Sequence, residues 1–355
     1  MNRSVQKSET FNDLFIFEMS KNHAGDVDCA LEIVDSFAEI SQGENLHAAI
    51  KLQFRDLDSY IHPQFKKDGD ERMQRYFSSH LTTDEFKQIV DRIHEKGLIS
   101  MSTPFDELSV DVIDALGVDM IKIASSSATD WPLLERVVLS KKPIVVSTGG
   151  LKLEDIDALV TFLQKNGADF VILHCVGMYP TPREYKELHR IKLFVQRYPN
   201  VPIGFSTHED PENLIPVQLA YALGARCFEK HVIVLDEKSA ADPSYQKVLG
   251  YTATPEQTKA WIYAYKDAVI MLGTEDIDSY QPTEKEINSI ASMKRGVYLK
   301  HDMSAGQTVS SEDVFFAIPL QDGQMECSDW REGLQTSASF AKEDPLTHGN
   351  VSLIV

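Results

Sequence analysis

Short apolar runs alternate with helix-like stretches along most of the chain. Eight runs follow this pattern: Leu14–Glu18, Ala48–Phe54, Ile99–Ser102, Met120–Ile123, Ile144–Ser147, Phe170–His174, Ile203–Ser206 and Cys227–His231. Alternation of strand and helix is typical of parallel strands joined by crossover helices. Eight such units are the number that closes a (β/α)8 barrel, so the pattern predicts an α/β protein of the TIM-barrel class.

The pattern changes after Gly273. Residues 276–288 are acidic and polar, which is typical of a linker, and short strand-like pieces separated by turn residues follow them. Residues 1–275 are therefore the predicted barrel domain, and residues 289–355 a small β-rich domain. Because so small a domain is marginally stable alone, we expect it to dock against a barrel.

Composition and charge exclude several classes of protein. The net charge is −19, from 35 basic and 54 acidic residues, and no basic patch is present, so we expect no nucleic-acid partner. No apolar run approaches the ~20 residues that span a bilayer, and the polar N-terminus has no apolar signal segment. The four cysteines are scattered without a CxxC pair, which indicates reduced thiols. These features predict a cytoplasmic protein without a membrane partner.

Polar side chains stand at the carboxyl ends of the predicted strands, where barrels of this class place their active sites. They are Glu18, Lys51, Gln53, Thr103, Lys122, Ser125, Ser147, Tyr179, His208, Glu229 and His231. We would not expect a barrel with only a structural role to concentrate these residues on one rim. The long polar stretch between Arg55 and about Leu81 is typical of a segment that covers a site or forms an interface.

His208 and His231 end neighbouring strands, so their imidazoles can share one divalent ion. Two histidines with a nearby carboxylate suit Mn²⁺, with Mg²⁺ or Co²⁺ as alternatives. Glu229 lies on the same strand face as His231, and Glu18 could complete the site directly or through a water. The other interpretation is two ordinary rim histidines.

Lys51 and Lys122 interrupt apolar strands, which is costly unless each charge is paired or faces the barrel mouth. With the hydroxyls of Thr103, Ser125, Ser147 and Ser206 they would surround a phosphate with donors. Two alternatives stay open. The lysines could form internal salt bridges to the two glutamates, which is compatible with phosphate binding, or Lys122 could be a Schiff-base nucleophile.

His174 ends the sixth run, and Tyr179 follows it by five residues. The Tyr179 phenol could hydrogen-bond a sugar or phosphate oxygen, or its ring could pack beside the neighbouring prolines. His174 is expected to be a buried core residue.

Taken in order, the motifs resemble the N-acetylneuraminate (sialic acid) synthase family almost end to end. They are FEMSKNHAG, IKLQF, STPFD, IKIASS, STGG, HCVGMYPTP, GFSTHE and EKH, and the segment RGVYLKHDMSAGQTVSSEDV resembles the family's antifreeze-like (SAF, β-clip) domain. The resemblance implies a metal-dependent, domain-swapped homodimer. It would condense phosphoenolpyruvate with an open-chain N-acyl amino sugar, similar to N-acetylmannosamine, to give a nonulosonic acid and phosphate.

The resemblance also implies roles for individual residues. His208 and His231 match the metal ligands, and Glu18 matches an acid/base carboxylate. The matches to phosphoenolpyruvate contacts are Lys51, Thr103, Lys122, Ser125, Ser147 and Ser206, and those to sugar-side or metal-side positions are Gln53, Tyr179, Glu229 and Asp242. Arg295 matches an arginine that the antifreeze-like domain sends into the partner subunit's site.

Four positions depart from the family pattern. The family usually has Asp at the position of Thr207 and an acidic residue at that of Ser127. It usually has Ser or Asn at the position of Gly177 and His at that of Pro243. The departures cluster on the sugar side, so an alternative is the same chemistry with a sugar that yields a pseudaminic-, legionaminic- or deaminated-type acid. A second alternative is a catalytically retired barrel that binds a glycan or a protein.

Overall fold

The computed structural model describes residues 9–68, 71–235, 248–274, 278 and 280–353. The chain divides into two compact units, Met1–Gly273 and Thr274–Val355. Within those described ranges, no helix is both long enough and apolar enough to cross a membrane.

The first unit is a closed parallel barrel whose strands, eight within the described ranges, follow chain order. They are β1 (Leu14–Glu18), β2 (His47–Phe54), β3 (Ile99–Pro104), β4 (Met120–Ile123), β5 (Ile144–Ser147), β6 (Phe170–Cys175), β7 (Ile203–Thr207) and β8 (Cys227–His231). Strands β1, β4, β5 and β8 have the predicted bounds, and the others are longer by one or two residues. The TIM-barrel prediction is confirmed.

Helices follow the strands along the first unit. They are α1 (Val27–Glu44), α2 (Leu57–Tyr60), α3 (Phe65–Asp68), α4 (Glu71–Ser78), α5 (Thr83–Glu95), α6 (Glu107–Ala115), α7 (Trp131–Leu139), α8 (Leu153–Lys165), α9 (His189–Arg197), α10 (Ile215–Ala222) and α11 (Pro255–Leu272). The long polar stretch after β2 therefore contains three short helices, α2 to α4. Helix α5 begins with a capping box between Thr82 and Glu85, which satisfies backbone N–H groups at that end.

Apolar side chains fill the barrel interior near the amino ends of the strands. This interior cluster consists of Phe11, Leu14, Ile16, Ala49, Met101, Met120, Val145, Val171, Leu173 and Cys227. A larger apolar layer, which includes Phe15 and Trp261, fills the space between strands and helices. Strand β7 packs closely because Gly204 has no side chain: a Cβ there would lie 2.3 Å from the Cys227 carbonyl oxygen. The apolar packing leaves the carboxyl ends of the strands for polar side chains.

The second unit is rich in short antiparallel strands. It contains helix α12 (Glu284–Ala291) and strands β9 (Gly296–Leu299), β10 (Thr308–Val309), β11 (Val314–Ala317), β12 (Leu334–Thr336) and β13 (Val351–Leu353). Strands β9 and β11 pair with each other, and β10, β12 and β13 form a second sheet. Its core includes Val297, Leu334 and Phe340. The fold-class prediction of a small β-rich region is confirmed, but α12 begins inside the predicted linker 276–288 because Thr283 caps it.

Candidate active site

Strand register brings the polar rim residues together. Glu18 on β1 is paired in register with Lys51 on β2 and with His231 on β8. Ser206 on β7 is likewise opposite Glu229 on β8. Because parallel strands of a closed barrel share one carboxyl end, residues far apart in sequence meet at the same mouth.

A cavity of about 1000 Å³ opens at this mouth, a volume sufficient for two small substrates. It is lined by all the described barrel residues to which the sequence resemblance assigns a catalytic, metal-binding or substrate-binding role: Glu18, Lys51, Gln53, Thr103, Lys122, Ser125, Ser147, Tyr179, Ser206, His208, Glu229 and His231. Asp242 and Pro243 lie outside the described residues. Arg295 directly precedes β9 in the second unit.

A buried network of opposite charges occupies the floor of the cavity. Lys51 pairs with Glu18, and its Nζ lies 3.2 Å from Oε2 of Glu229. Lys122 donates to the same Glu229 oxygen over 2.6 Å, and the Ser206 hydroxyl donates to the other oxygen over 2.8 Å. The salt bridges considered as an alternative from the sequence are therefore present.

The pKa values of this network follow from burial and from pairing. Burial opposes ionisation of Glu229, but the ammonium groups of Lys122 and Lys51 outweigh it and hold the pKa of Glu229 below its usual range. Burial lowers the pKa of Lys51 to about 8, although Glu229 favours its charged form. Lys51 can thus lose its proton within a range of pH that enzymes commonly experience.

The two histidines lie side by side, with ring centroids 5.3 Å apart. Nδ1 of His208 is 3.0 Å from the Val176 carbonyl oxygen. Because that oxygen can only accept, Nδ1 carries the proton and Nε2 keeps its lone pair for a ligand. Burial lowers the pKa of His231 well below its usual value, so this ring is neutral and can donate a lone pair to a ligand.

This pair fits part of a metal site. In the described portion of the chain, no group of three or more His, Cys, Asp or Glu side chains is arranged to hold a metal ion. Within those residues, His208 and His231 would supply two imidazole nitrogens. Water and substrate oxygens would complete the coordination of an ion such as Mn²⁺.

Tyr179 lies over the histidines, with its ring 4.1 Å from that of His208 and 5.2 Å from that of Tyr251. A cis peptide bond joins it to Pro180. Tyr179 is 52% exposed, and the partial burial of its ring raises the pKa of the phenol, so the phenol stays protonated and can donate to a substrate oxygen. The neighbouring His174 is fully buried, as expected, and hydrogen-bonds the Lys186 carbonyl over 2.8 Å.

Hydroxyl groups line the side of the cavity near β3 to β5. The Thr103 hydroxyl is buried and has no hydrogen-bond partner among the described residues. The Ser125 hydroxyl accepts from the Gly149 backbone N–H over 2.8 Å, and this contact holds its oxygen at the cavity lining. Because a buried polar group without a partner is costly, the Thr103 hydroxyl is well suited to bind a substrate oxygen.

The departures from the family pattern have structural accounts at two positions. The Thr207 hydroxyl donates to Glu209, whose carboxylate also pairs with Lys186 at 3.1 Å and Lys230 at 3.4 Å. A buried carboxylate is thus supplied two residues after Thr207. Gly177 lines the cavity and contributes no side-chain hydroxyl.

Several cavity residues were not singled out individually from the sequence, although the stretch that contains Arg55, Arg75 and Tyr76 was predicted to cover a site or form an interface. They are Ser20, Lys21, Asn22, Arg55, Arg75, Tyr76, Phe105, Cys175 and Tyr251. Arg55 could have been found, because it continues the alternation of Lys51 and Gln53 at the end of β2. Arg75, Tyr76 and Tyr251 reach the mouth from helix α4 and from a segment after β8, and no period in the sequence indicates this.

Comparison with known proteins gives the chain's relatives. The sequence model described as the NeuB family matches residues 44–276. An uncharacterized protein of Methanocaldococcus jannaschii is 31% identical over 89% of this chain and 87% of its own length. The N,N'-diacetyllegionaminic acid synthase of Legionella pneumophila is 26% identical over 86% of this chain and 85% of its own.

Solved structures show the same similarity. A Chromobacterium violaceum protein named for spore coat polysaccharide biosynthesis superposes with a TM-score of 0.84 at 38% identity, over 96% of this chain and 99% of its own. The N-acetylneuraminic acid (sialic acid) synthetase of Leptospira borgpetersenii, solved with citrate, has a TM-score of 0.66 at 26% identity, over 79% and 91% of the two chains.

Proposed function

Because this chain belongs to the NeuB family, we propose that it is an enzyme that condenses phosphoenolpyruvate with an open-chain N-acyl amino sugar. The products are a nonulosonic acid and inorganic phosphate. The observation that carries the proposal is the meeting of two lysines, two glutamates and two histidines in one cavity of about 1000 Å³. Relatives named as legionaminic acid and sialic acid synthases support it.

Lys51 and Lys122 would receive the phosphate and carboxylate of phosphoenolpyruvate. Both ammonium groups are held in place by Glu229, at 3.2 and 2.6 Å, before substrate arrives. Fixed charges in a buried site stabilise negative charge that develops in the transition state without reorganisation. The hydroxyls of Thr103, Ser125, Ser147 and Ser206 would complete the anion site.

His208 and His231 would hold a divalent ion, with Mn²⁺ expected. When bound, such an ion supplies Lewis-acid polarisation of a carbonyl oxygen. The two imidazoles also place the Tyr179 phenol, whose ring packs 4.1 Å from His208, beside the sugar.

Glu18 is the proposed proton shuttle. It pairs with Lys51, and its Oε1 accepts from the Gln53 amide over 2.9 Å. The enol carbon of phosphoenolpyruvate forms a bond to the aldehyde carbon, and the aldehyde oxygen takes up a proton. Water then adds to the former C2 and loses a proton. The C–O bond to phosphate then breaks as the new hydroxyl loses its proton and the C2 carbonyl forms, and phosphate leaves with the bridging oxygen and takes up a proton. Glu18 would carry these protons.

The second unit would act as the family's antifreeze-like domain in a domain-swapped homodimer, with Arg295 at the sugar's acyl group. Replacement of Arg295 with alanine should raise the KM for the sugar at least about tenfold, since a charged hydrogen bond is lost, and leave the KM for phosphoenolpyruvate nearly unchanged. Steady-state kinetics with each substrate varied in turn measure this. An equal rise in both constants would contradict the proposed division of roles.

The lowered pKa of Lys51 predicts a pH dependence. As pH rises through about 8, Lys51 loses its proton, and the anion site loses one positive charge. We therefore expect kcat/KM for phosphoenolpyruvate to fall above about pH 8. In Lys51→Arg, whose guanidinium stays charged, this fall should move to higher pH even if activity is lower. A wild-type profile that stays flat well above that pH would contradict the assignment.

The direct test incubates the protein with phosphoenolpyruvate, Mn²⁺ and a panel of N-acyl hexosamines. Phosphate release is followed, and the product is identified by mass spectrometry. The proposal predicts sugar-dependent phosphate release and a nine-carbon acid. Selective activity with another aldose would identify a sister reaction, whereas no release with any sugar would support the retired barrel.

A further inference from the structure

Arg55 lies just beyond β2 and lines the same cavity, but none of the proposed steps uses it. Its guanidinium is placed between two aromatic rings, 3.6 Å from the centroid of Phe105 and 4.4 Å from that of Tyr76. A flat cation between two ring faces is favourable and has a fixed plane. Tyr76 belongs to helix α4, so this contact also ties the segment between β2 and α5 to the mouth.

The Arg55 guanidinium hydrogen-bonds a neutral side chain and not a carboxylate. Among the described residues, no carboxylate lies within ion-pair distance of Arg55, and its Nε is buried without a hydrogen-bond partner. Its Nη2 instead donates to Oε1 of Gln53 over 3.0 Å, and the guanidinium also interacts with the Tyr60 hydroxyl. This half-buried cation is therefore directed at neutral partners, and its contact with the Gln53 amide points to a role in orienting that amide.

The contact determines which way the Gln53 amide faces. Because Arg55 can only donate, the atom that faces it must be the amide oxygen. The amide nitrogen then turns inward and donates to Oε1 of Glu18 over 2.9 Å and to the Ser20 hydroxyl over 3.1 Å. If the amide were reversed, its oxygen would face the Glu18 carboxylate, and the two acceptors would repel each other.

We propose that Arg55 is a positioning residue that fixes the Gln53 amide and, through it, the carboxylate of Glu18. The consequence for catalysis rests on the proposed function, in which Glu18 carries protons. The consequence for the Gln53 amide depends only on the contacts described above.

The kinetic test uses Arg55→Met, which keeps length but cannot donate. We expect kcat to fall about 10- to 100-fold, as for a misplaced catalytic group, with little change in the KM for phosphoenolpyruvate. Arg55→Lys should remain impaired, because an ammonium cannot reproduce the planar stack. Arg55→Met added to Gln53→Ala should cause no further loss, whereas additive losses would overturn the proposal.

The matched control is Arg226→Met. Arg226 also stacks on a tyrosine, 4.2 Å from the Tyr221 centroid, and donates to the Tyr221 carbonyl, but it lies just before β8 at the other end of the barrel. This variant should keep the wild-type kcat. Loss of kcat equal to that of Arg55→Met would indicate a general effect on folding and contradict the positioning role.

A readout that does not need turnover separates this inference from the proposed function. In protein labelled with ¹⁵N-glutamine, the side-chain amide signals of Gln53, assigned by their loss in Gln53→Ala, should shift and exchange faster with solvent in Arg55→Met. Signals that stay unchanged would overturn the role of Arg55. Absence of condensation by the wild-type protein would instead refute the proposed function, while the amide measurement would still decide the role of Arg55.

Discussion

Replacing His208 with alanine is expected to lower sugar-dependent phosphate release by at least about 1000-fold, because several kcal/mol of charge stabilisation would be lost with the ion. The imidazole stands 5.3 Å from that of His231, and its proton on Nδ1 is directed to the Val176 carbonyl. The remaining Nε2 is one of two nitrogens available to an ion. Alanine removes it and leaves the neighbouring strands in place.

The loss should be specific to metal binding. In His208→Ala, Mn²⁺ binding measured by calorimetry on metal-free protein should weaken sharply, while the midpoint of thermal unfolding of that metal-free protein should change by only a few degrees. His94→Ala is the matched control, because His94 lies 3.0 Å from Asp119 on a partly exposed surface outside the cavity lining. It should bind Mn²⁺ and turn over normally. Full activity of His208→Ala in the presence of a chelator would refute the metal role.

Replacing Lys122 with methionine is expected to abolish binding of phosphoenolpyruvate and to destabilise the protein. Lys122 is almost fully buried and lies 2.6 Å from Glu229. Removing one partner of a buried ion pair leaves an undercompensated charge, which typically costs about 3–5 kcal/mol. Denaturant unfolding measures the loss of stability, and calorimetry with phosphoenolpyruvate measures the loss of binding.

A double variant separates these two effects. Lys122→Met combined with Glu229→Leu removes both charges, while Lys51 keeps its pairing with Glu18. The free energy of unfolding should recover substantially, because apolar replacement of a whole buried pair is often neutral or stabilising. Binding of phosphoenolpyruvate should stay lost. Recovery of binding together with stability would show that Lys122 has only a structural role.

The strand pattern predicted much of this site because the residues at the carboxyl ends of all barrel strands lie on one rim, however far apart they are in the sequence. Once Leu14–Glu18 and Cys227–His231 are recognised as strands, closure of the barrel requires Glu18 to lie near His231. The charges of Lys51 and Lys122 within apolar strands indicated that each ammonium group is paired or faces the mouth. These inferences need only the period of a strand and the count of units.

Other features depend on tertiary contacts that leave no periodic pattern of residues in the sequence. The pairing of both lysines with Glu229 depends on side-chain reach across the barrel interior, so the sequence left salt bridge and phosphate site as open alternatives. The stacking of Tyr76 on Arg55 depends on how helix α4 folds back over the mouth. The start of α12 inside the predicted linker reflects a local cap at Thr283 within an otherwise polar stretch.

The most direct test of the account is to run the reaction in H₂¹⁸O and to determine the mass of the released phosphate. Condensation with cleavage of the C–O bond predicts one phosphate for each sugar consumed and no ¹⁸O in that phosphate, because the bridging oxygen leaves with phosphorus. Phosphate that carries one ¹⁸O, or that is released without any sugar, would show P–O hydrolysis and contradict the proposed use of this cavity.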